Sequence, residues 1–291
     1  MPELPEVEVT RRTIEPLLVR RRIREVQTTG DSYLFITPPA VLRRALTHRT
    51  VERLRRRGKY LIAELDDESR FVLHLGMTGQ LFSETAASPR LLSSAARASL
   101  SPEQQRCFHP DAHTHLCLVF DDGGPRVFLR DVRKFGKLLW LAAGEAHPRL
   151  DRLGVDALEI DAETLFAASR KRTVAIKNLL LDQAVLAGMG NIYVDEALFL
   201  SGIRPTRRAR RITRQECDRL AGYIVSVLLR SIETGGASIR DYVIPDGNDG
   251  GYQFERWVYA RTGEPCDRCG TTIRRIVVGQ RGTHYCRSCQ K

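Results

Sequence analysis

Apolar positions along this chain recur with three textures, each marking a different kind of element. Over residues 3–18, Leu4, Val7, Ile14 and Leu18 fall near one face of a 3.6-residue repeat, which predicts an N-terminal helix. Glu3, Glu6 and Glu8 in its first turns suit the positive end of the helix dipole. From about 24 to 142 the runs shorten and are punctuated by Asp and Gly, as in Tyr60-Leu61-Ile62-Ala63, Phe71-Val72-Leu73, Leu116 to Phe120 and Lys137 to Trp140. This pattern predicts an antiparallel β-sandwich. An Ala/Ser/Pro-rich stretch over 84–112 interrupts it and is expected to be a mobile surface loop carrying a short helix. Beyond Gly144 the texture turns helical, with helices expected over 161–170, 173–182, 191–200 and 213–233 and a hinge near 144–155. Residues 235–254, rich in Gly and Asp, read as a flexible loop, and the chain ends in a small cysteine-bearing hairpin. The expected fold class is α+β, without internal repeats.

At 291 residues the chain can hold two domains, each with its own core. It contains no apolar run approaching the ~18 residues of a membrane span. Its charged first twenty residues do not resemble a cleavable signal, so a cytoplasmic, bacterial-type protein with no membrane partner is expected. The net charge of +11 favours polyanions, nucleic acid first. Only six of the 46 basic residues are lysine, a bias that a GC-rich genome would largely account for. The clustering says more: Arg20-Arg21-Arg22 with Arg24, Arg53 and Arg55-Arg56-Arg57 with Lys59, and Arg204 to Arg214. Arginine grips phosphate in a bidentate fork, which fits DNA.

Cys266-x2-Cys269 and Cys286-x2-Cys289, separated by 16 residues, have the spacing of a four-thiolate zinc ribbon. Two tight turns can bring four sulfurs round one tetrahedral ion and hold a hairpin too small for a core of its own. Disulfides or a redox pair are the alternatives, less suited to a chain without a secretion signal. Four thiolates leave zinc no open position, so one structural Zn2+ is expected. Cys107, Cys117 and Cys217 read as ordinary thiols, and Arg281 falls near the expected hairpin tip, within reach of a phosphate.

The second residue carries the chemistry. If Met1 is trimmed, the chain begins with the secondary amine of Pro2. An α-amino group titrates near pKa ~7.7–8, so a useful fraction is neutral and nucleophilic at pH 7. Attack of a secondary amine on a sugar carbon gives an iminium that has no N–H proton to lose, a strong electron sink suited to elimination. Alternatively, Pro2 simply starts a helix, where proline is favoured.

The opening Met1-Pro2-Glu3-Leu4-Pro5-Glu6, Arg57-Gly58-Lys59-Tyr60, His74-Leu75-Gly76-Met77-Thr78-Gly79, Asp131 to Gly136, Gly188-Met189-Gly190-Asn191-Ile192-Tyr193 and the terminal cysteines occur in this order. Together they closely resemble the formamidopyrimidine-DNA glycosylase / endonuclease VIII family of base-excision repair enzymes, over almost the whole chain. Leu4 resembles the formamidopyrimidine branch, since the endonuclease VIII branch typically has glycine there. The resemblance implies a catalytic β-sandwich over 1–145 and a helix–two-turns–helix domain over 146–240. A lesion-capping loop and connector would occupy 241–260 and a zinc hairpin 261–291, with double-stranded DNA bound in the cleft between the main domains by a monomer.

It further implies that Pro2 attacks the damaged nucleoside, expels the base and carries the sugar through β- and δ-elimination. Glu3 would move protons at the sugar, and Lys59 would assist base release and touch the backbone. Asn191 and Arg281 would bind phosphate, with Lys177 near the same groove. Met77, Arg133 and Phe135 would fill the gap left by the everted base, although Met77 and Phe135 could equally be core residues. Glu6 would line the base pocket, and residues 240–254 would close over it. The family's usual Asp-Pro-Arg-Arg-Phe-Gly stands here as Asp131-Val132-Arg133-Lys134-Phe135-Gly136, which puts the opposite-base preference in doubt. The expected activity is excision of oxidised purines, 8-oxoguanine and formamidopyrimidines. An endonuclease VIII-like preference for oxidised pyrimidines and a non-catalytic lesion-binding protein are the alternatives.

Overall fold

The computed structural model describes residues 2–86, 108–239 and 242–291; most of the 84–112 segment, with Cys107, lies outside them. The chain forms two compact units, one of Met1–His147 with Gly235–Gly251, the other of Pro148–Thr234 with Tyr252–Lys291. The first boundary falls within the expected hinge. The chain re-enters the first unit at Gly235, inside the span given to the helix–two-turns–helix, and leaves it after Gly251, inside the stretch given to the capping loop.

In the first unit, helix α1 (Leu4–Leu18) is followed by β1 (Ile23–Thr28), α2 (Pro39–Leu46), β2 (Val51–Arg57), β3 (Tyr60–Leu65), β4 (Arg70–His74), β5 (Gly79–Ser83), β6 (Thr114–Phe120), β7 (Val127–Asp131) and β8 (Lys137–Leu141). The strands form two four-stranded antiparallel sheets, ordered β1-β6-β7-β5 and β2-β3-β4-β8. Alternation in β3 turns Leu61, Ala63 and Leu65 inward. They meet Leu81, Leu116, Leu118 and Leu129 of the other sheet in a core that also takes Val7, Ile14 and Leu18 of α1. The sandwich is therefore closed by the N-terminal helix as well as by its two faces.

Helix α2 was not expected from the sequence. It is eight residues long and lies within the span expected to be β; yet proline suits a first helical position, and Leu42 and Leu46 bury one face.

The second unit contains α3 (Pro148–Asp151), α4 (Ala162–Arg170), α5 (Ile176–Leu181), α6 (Asn191–Leu200) and α7 (Arg214–Glu233), with short strands β9 (Val155–Asp156) and β10 (Leu186–Ala187) pairing in parallel. Helix α7 starts on a capping box: Glu216 N donates to Thr213 Oγ1, and Thr213 N donates to Glu216 Oε2. Asp161 caps α4 by accepting from Thr164 N at 2.7 Å. Strands β11 (Arg274–Val278) and β12 (Arg281–Tyr285) make the terminal hairpin, turning through Gly279 and Gln280, both at positive φ.

One charge cluster ties α1 to the sandwich. Glu8 accepts from Arg11, Arg12 and, across to β2, Arg56 at 3.2 Å. Burial raises its pKa, but hydrogen bonds from Arg11 and Arg12 and the charges of Arg11 and Arg56 outweigh it, leaving the carboxyl below its ordinary value of 4.5. A depressed carboxyl pKa stabilises the fold above that ordinary value and ceases to as pH falls through the folded value. Glu8→Gln should therefore lower the melting temperature at pH 7 by several degrees. The gap to the native chain should narrow below about pH 4.5 in thermal melts followed by circular dichroism. An unchanged gap down to pH 3 would show that the charge of Glu8 is not what stabilises this contact.

Candidate functional site

Pro2 and Glu3 are buried at the head of α1, with Glu3 only 3% exposed. The first turn is fixed by Glu6, whose carboxylate accepts from Glu3 N at 2.8 Å through one oxygen and from Ala237 N at 2.9 Å through the other. Tyr242 Oη donates to Glu6 O, and Gly250 N donates to Ser238 Oγ. Burial, and then the charge of Glu6, hold the Tyr242 phenol protonated well above its ordinary range. The described residues of this stretch, 235–239 and 242–251, are thus packed onto the head of α1, with Ala237, Tyr242 and Val243 all buried, rather than the flexible loop expected. Its glycines explain why composition misled. A Cβ on Gly250 would lie 2.2 Å from Gly236 O, so glycine here permits backbone contact rather than freedom.

Strand register brings the other first-unit candidates to one end of the β2-β3-β4-β8 sheet. Lys59, only 7% exposed, follows Gly58 (φ +55°) in the two-residue turn joining β2 and β3. Tyr60 pairs with His74 and His74 with Lys137, so the Lys59 turn, the 75–78 loop and the 132–136 loop succeed one another across the sheet. Met77 is half-buried and Phe135 is 43% exposed, with the Arg133 guanidinium 4.6 Å over the Phe135 ring. Of the two readings of Phe135, the core is corrected: the ring is at the surface.

Asp131 organises both loops from a fully buried position. Its Oδ1 accepts from Thr78 Oγ1 (2.5 Å) and Arg133 N (3.3 Å), and its Oδ2 from Gly136 N (2.7 Å). Proline is absent at 132, yet the loop is still fastened at both ends by one carboxylate.

In the second unit, Asn191 opens α6 just after Gly188 and Gly190, at a helix N-terminus, whose positive end suits an anion. Its Nδ2 donates to Gly282 O at 2.9 Å, placing it beside the residue next to the exposed Arg281. Lys177 is not a groove residue. It is fully buried, and its ammonium donates to Asp195 Oδ1 (2.7 Å) and to Gly282 O (3.1 Å). Asp195 also accepts from His284 N, and Glu196 accepts from the N–H groups of Trp257, Val258 and Tyr259. Burial raises the Glu196 pKa, against the lowering effect of those three donors. Lys177, Asp195 and Glu196 thus position the terminal hairpin, and through it Arg281. Neither acid stood out in the sequence, where two carboxylates within Tyr193-Val194-Asp195-Glu196 look like a solvated helix face.

The cysteine sulfurs converge: Cys266 to Cys289 is 3.9 Å, Cys269 to Cys286 3.5 Å and Cys269 to Cys289 3.4 Å, and all four lie within 4.8 Å of one another. Zn–S bonds of about 2.3 Å set tetrahedral S–S edges of about 3.8 Å, so the donor set fits zinc, whereas a disulfide needs about 2.05 Å. Phe199, Val258 and Ile273 pack round two of these cysteines. Cys117 and Cys217 are buried, and burial pushes the Cys117 thiol up to about 11, so neither is a reactive group.

The arginine clusters are less bare than their sequence suggests. Arg21 pairs with Asp122, Arg22 with Asp121, Arg53 and Arg55 with Glu64, and Arg207 with Glu216. Much of that charge is therefore balanced on the surface, and clustering alone overstates a DNA face.

Comparison with known proteins fits this geometry. The Formamidopyrimidine-DNA glycosylase N-terminal domain matches residues 1–138, the Formamidopyrimidine-DNA glycosylase H2TH domain 153–243, and the zinc finger found in FPG and IleRS 263–291. The chain is 44% identical to the formamidopyrimidine-DNA glycosylase of Cupriavidus pinatubonensis and 42% to that of Thioalkalivibrio sulfidiphilus, each over the full length of both chains. Among solved structures it is similar to a Lactococcus lactis FPG mutant in complex with a Fapy-dG containing DNA (TM-score 0.85, 34% identity, all of both chains). It is also similar to the MutM (FPG) protein of Thermus thermophilus (TM-score 0.83, 35% identity, 99% of this chain and 98% of that one). The four cysteines hold one structural zinc ion.

Lys177→Met should destabilise the second unit by about 3–5 kcal/mol, because it strands a buried carboxylate. Adding Asp195→Asn should recover part of the loss in urea titrations. Equal, additive losses would mean that the two side chains do not act as a pair. Zinc analysis should give one equivalent per chain, falling to none in Cys286→Ser.

Proposed function

Because the chain belongs to the formamidopyrimidine-DNA glycosylase family, DNA glycosylases of base-excision repair that also carry lyase activity, we propose that it excises oxidised purines through an iminium on Pro2. After removal of Met1, the proline nitrogen attacks C1′ of the damaged nucleoside. The N-glycosidic bond breaks with its electrons on the departing base, which takes up a proton; Lys59 assists that departure. The nitrogen gives up its proton, the C1′–O4′ bond breaks with a proton taken up at O4′, and the bond from nitrogen to C1′ becomes an iminium. Loss of a C2′ proton expels the 3′ phosphate, and a further elimination expels the 5′ phosphate. Glu3 is the proton carrier at the sugar, a role supported by its place next to Pro2 in the chain and by its burial.

Turning the base out leaves a gap in the stack. Met77 and Phe135 enter it and Arg133 faces the orphaned partner base, a reading supported by their placement on adjoining loops fastened by Asp131. Asn191 and Arg281 grip phosphate, brought together at Gly282. Glu6 and the Ala237 backbone fastened to it form part of the wall against which the extruded base rests. The preference for purine lesions is supported by Leu4 and by two relatives solved with such DNA, one a Fapy-dG containing DNA and one a carbocyclic 8-oxo-G containing DNA. The protein acts as a monomer on chromosomal DNA in a bacterial cytosol; among the described residues no helix is long and apolar enough to cross a membrane.

The observation that carries this reading is the buried Pro2-Glu3 pair at an immobilised helix start. Borohydride trapping on duplexes containing 8-oxoguanine should yield a covalent adduct in the native enzyme and none in Pro2→Gly. Adduct surviving that substitution would move the nucleophile elsewhere. Faster turnover of thymine glycol than of 8-oxoguanine would instead assign oxidised pyrimidines, and tight abasic-site binding without cleavage would make the chain a binding protein.

A further inference from the structure

Large exposed hydrophobic side chains gather beside the 132–136 loop. Tyr33 is 74% exposed, Val132 45% and Phe135 43%. Tyr33 is not a frayed loop tip: Leu34 and Phe35 beside it are buried, Leu138 N donates to Leu34 O, and Ile36 N donates to Leu138 O, so the segment is laced to β8. Lys137, only 8% exposed, joins Tyr33 to the loop. Its ammonium donates to Tyr33 O (3.0 Å), Gly136 O (2.8 Å) and Phe135 O (3.5 Å), and sits 3.5 Å from the centroid of the Tyr33 ring. One face of that ring is therefore taken by a cation, and the rest of it is offered to solvent.

A contiguous patch of exposed apolar side chains such as Tyr33, Val132 and Phe135 marks a surface that something covers. Its surroundings say what does. Phe135 beside Tyr33 carries the Arg133 guanidinium over its own ring, so the patch presents two aromatic rings, each partnered by a cation. Interleaved aromatic rings and cations are what nucleobases stack upon, next to the phosphates that the charges attract. An acidic protein surface would use the cations but leave the rings unmatched.

We propose that Tyr33 is a further DNA-contacting residue, whose ring packs against a base neighbouring the step that Phe135 opens, with Lys137 fixing both at one spacing. The inference rests on the reading of Phe135 as a wedge and adds a residue to it. Tyr33 takes no part in bond making; it is a binding residue that steadies the kinked duplex.

Fluorescence anisotropy with a duplex containing a tetrahydrofuran abasic analogue tests this in Tyr33→Ala and Tyr33→Phe. Loss of one stacked base predicts a Kd raised about tenfold in Tyr33→Ala and near the native value in Tyr33→Phe. The slope of log Kd against log salt should not change, because no phosphate contact is lost. Native-like affinity in Tyr33→Ala, or an equal loss in Tyr33→Phe, would overturn the proposal. A parallel Phe135→Ala variant separates the two layers: if it binds normally while Tyr33→Ala does not, the wedge reading fails and the Tyr33 contact stands.

Discussion

The carboxylate of Glu6 is the constraint on which the rest depends. A chain terminus is ordinarily the most mobile part of a domain, yet the chemistry argued for this protein needs its terminal nitrogen held to a fraction of an ångström. Glu6 reconciles the two. One oxygen takes the N–H of Glu3 and so fixes the first turn of the helix; the other takes the N–H of Ala237, more than two hundred residues away, and fastens a distant segment over that turn. Pro2 suits such a site for a second reason, since its ring removes one backbone rotation from the terminus.

The same device recurs elsewhere. Asp131 fastens both the Met77 and the Arg133–Phe135 loops, and Asp195 and Glu196 fasten the zinc hairpin and the chain that leads into it. In each case a buried carboxylate accepts backbone N–H groups, which satisfies its charge and the amides together. A buried acid of this kind locates a loop without bulk, leaving the side chains it positions free to face outward. Zinc does the corresponding work for the terminal hairpin, which has too little core to fold alone.

Much of this was legible in the sequence. The helix over 191–200, the strand at the apolar run Tyr60 to Ala63 and the cysteine spacing follow from sequence pattern and ligand geometry, and the structure places them as expected. What escaped was set by tertiary context. Glycine-rich composition over 235–254 suggested freedom, whereas Gly236 and Gly250 serve close packing. Lys177 is expected near the DNA groove, and only its burial against Asp195 shows an internal role. Arginine clusters counted as a DNA face before their carboxylate partners, distant in sequence, could be seen. The helix at Pro39–Leu46 was too short for its periodicity to be told from a loop.

Which atom becomes bonded to the sugar decides the mechanism. Peptide mapping by mass spectrometry, applied to the borohydride-reduced complex after nuclease and protease digestion, locates that bond directly. The prediction is a deoxyribose remnant on the N-terminal peptide, at Pro2, with Met1 absent. A remnant on a lysine, or an active enzyme whose N-terminal peptide still carries Met1, would contradict it.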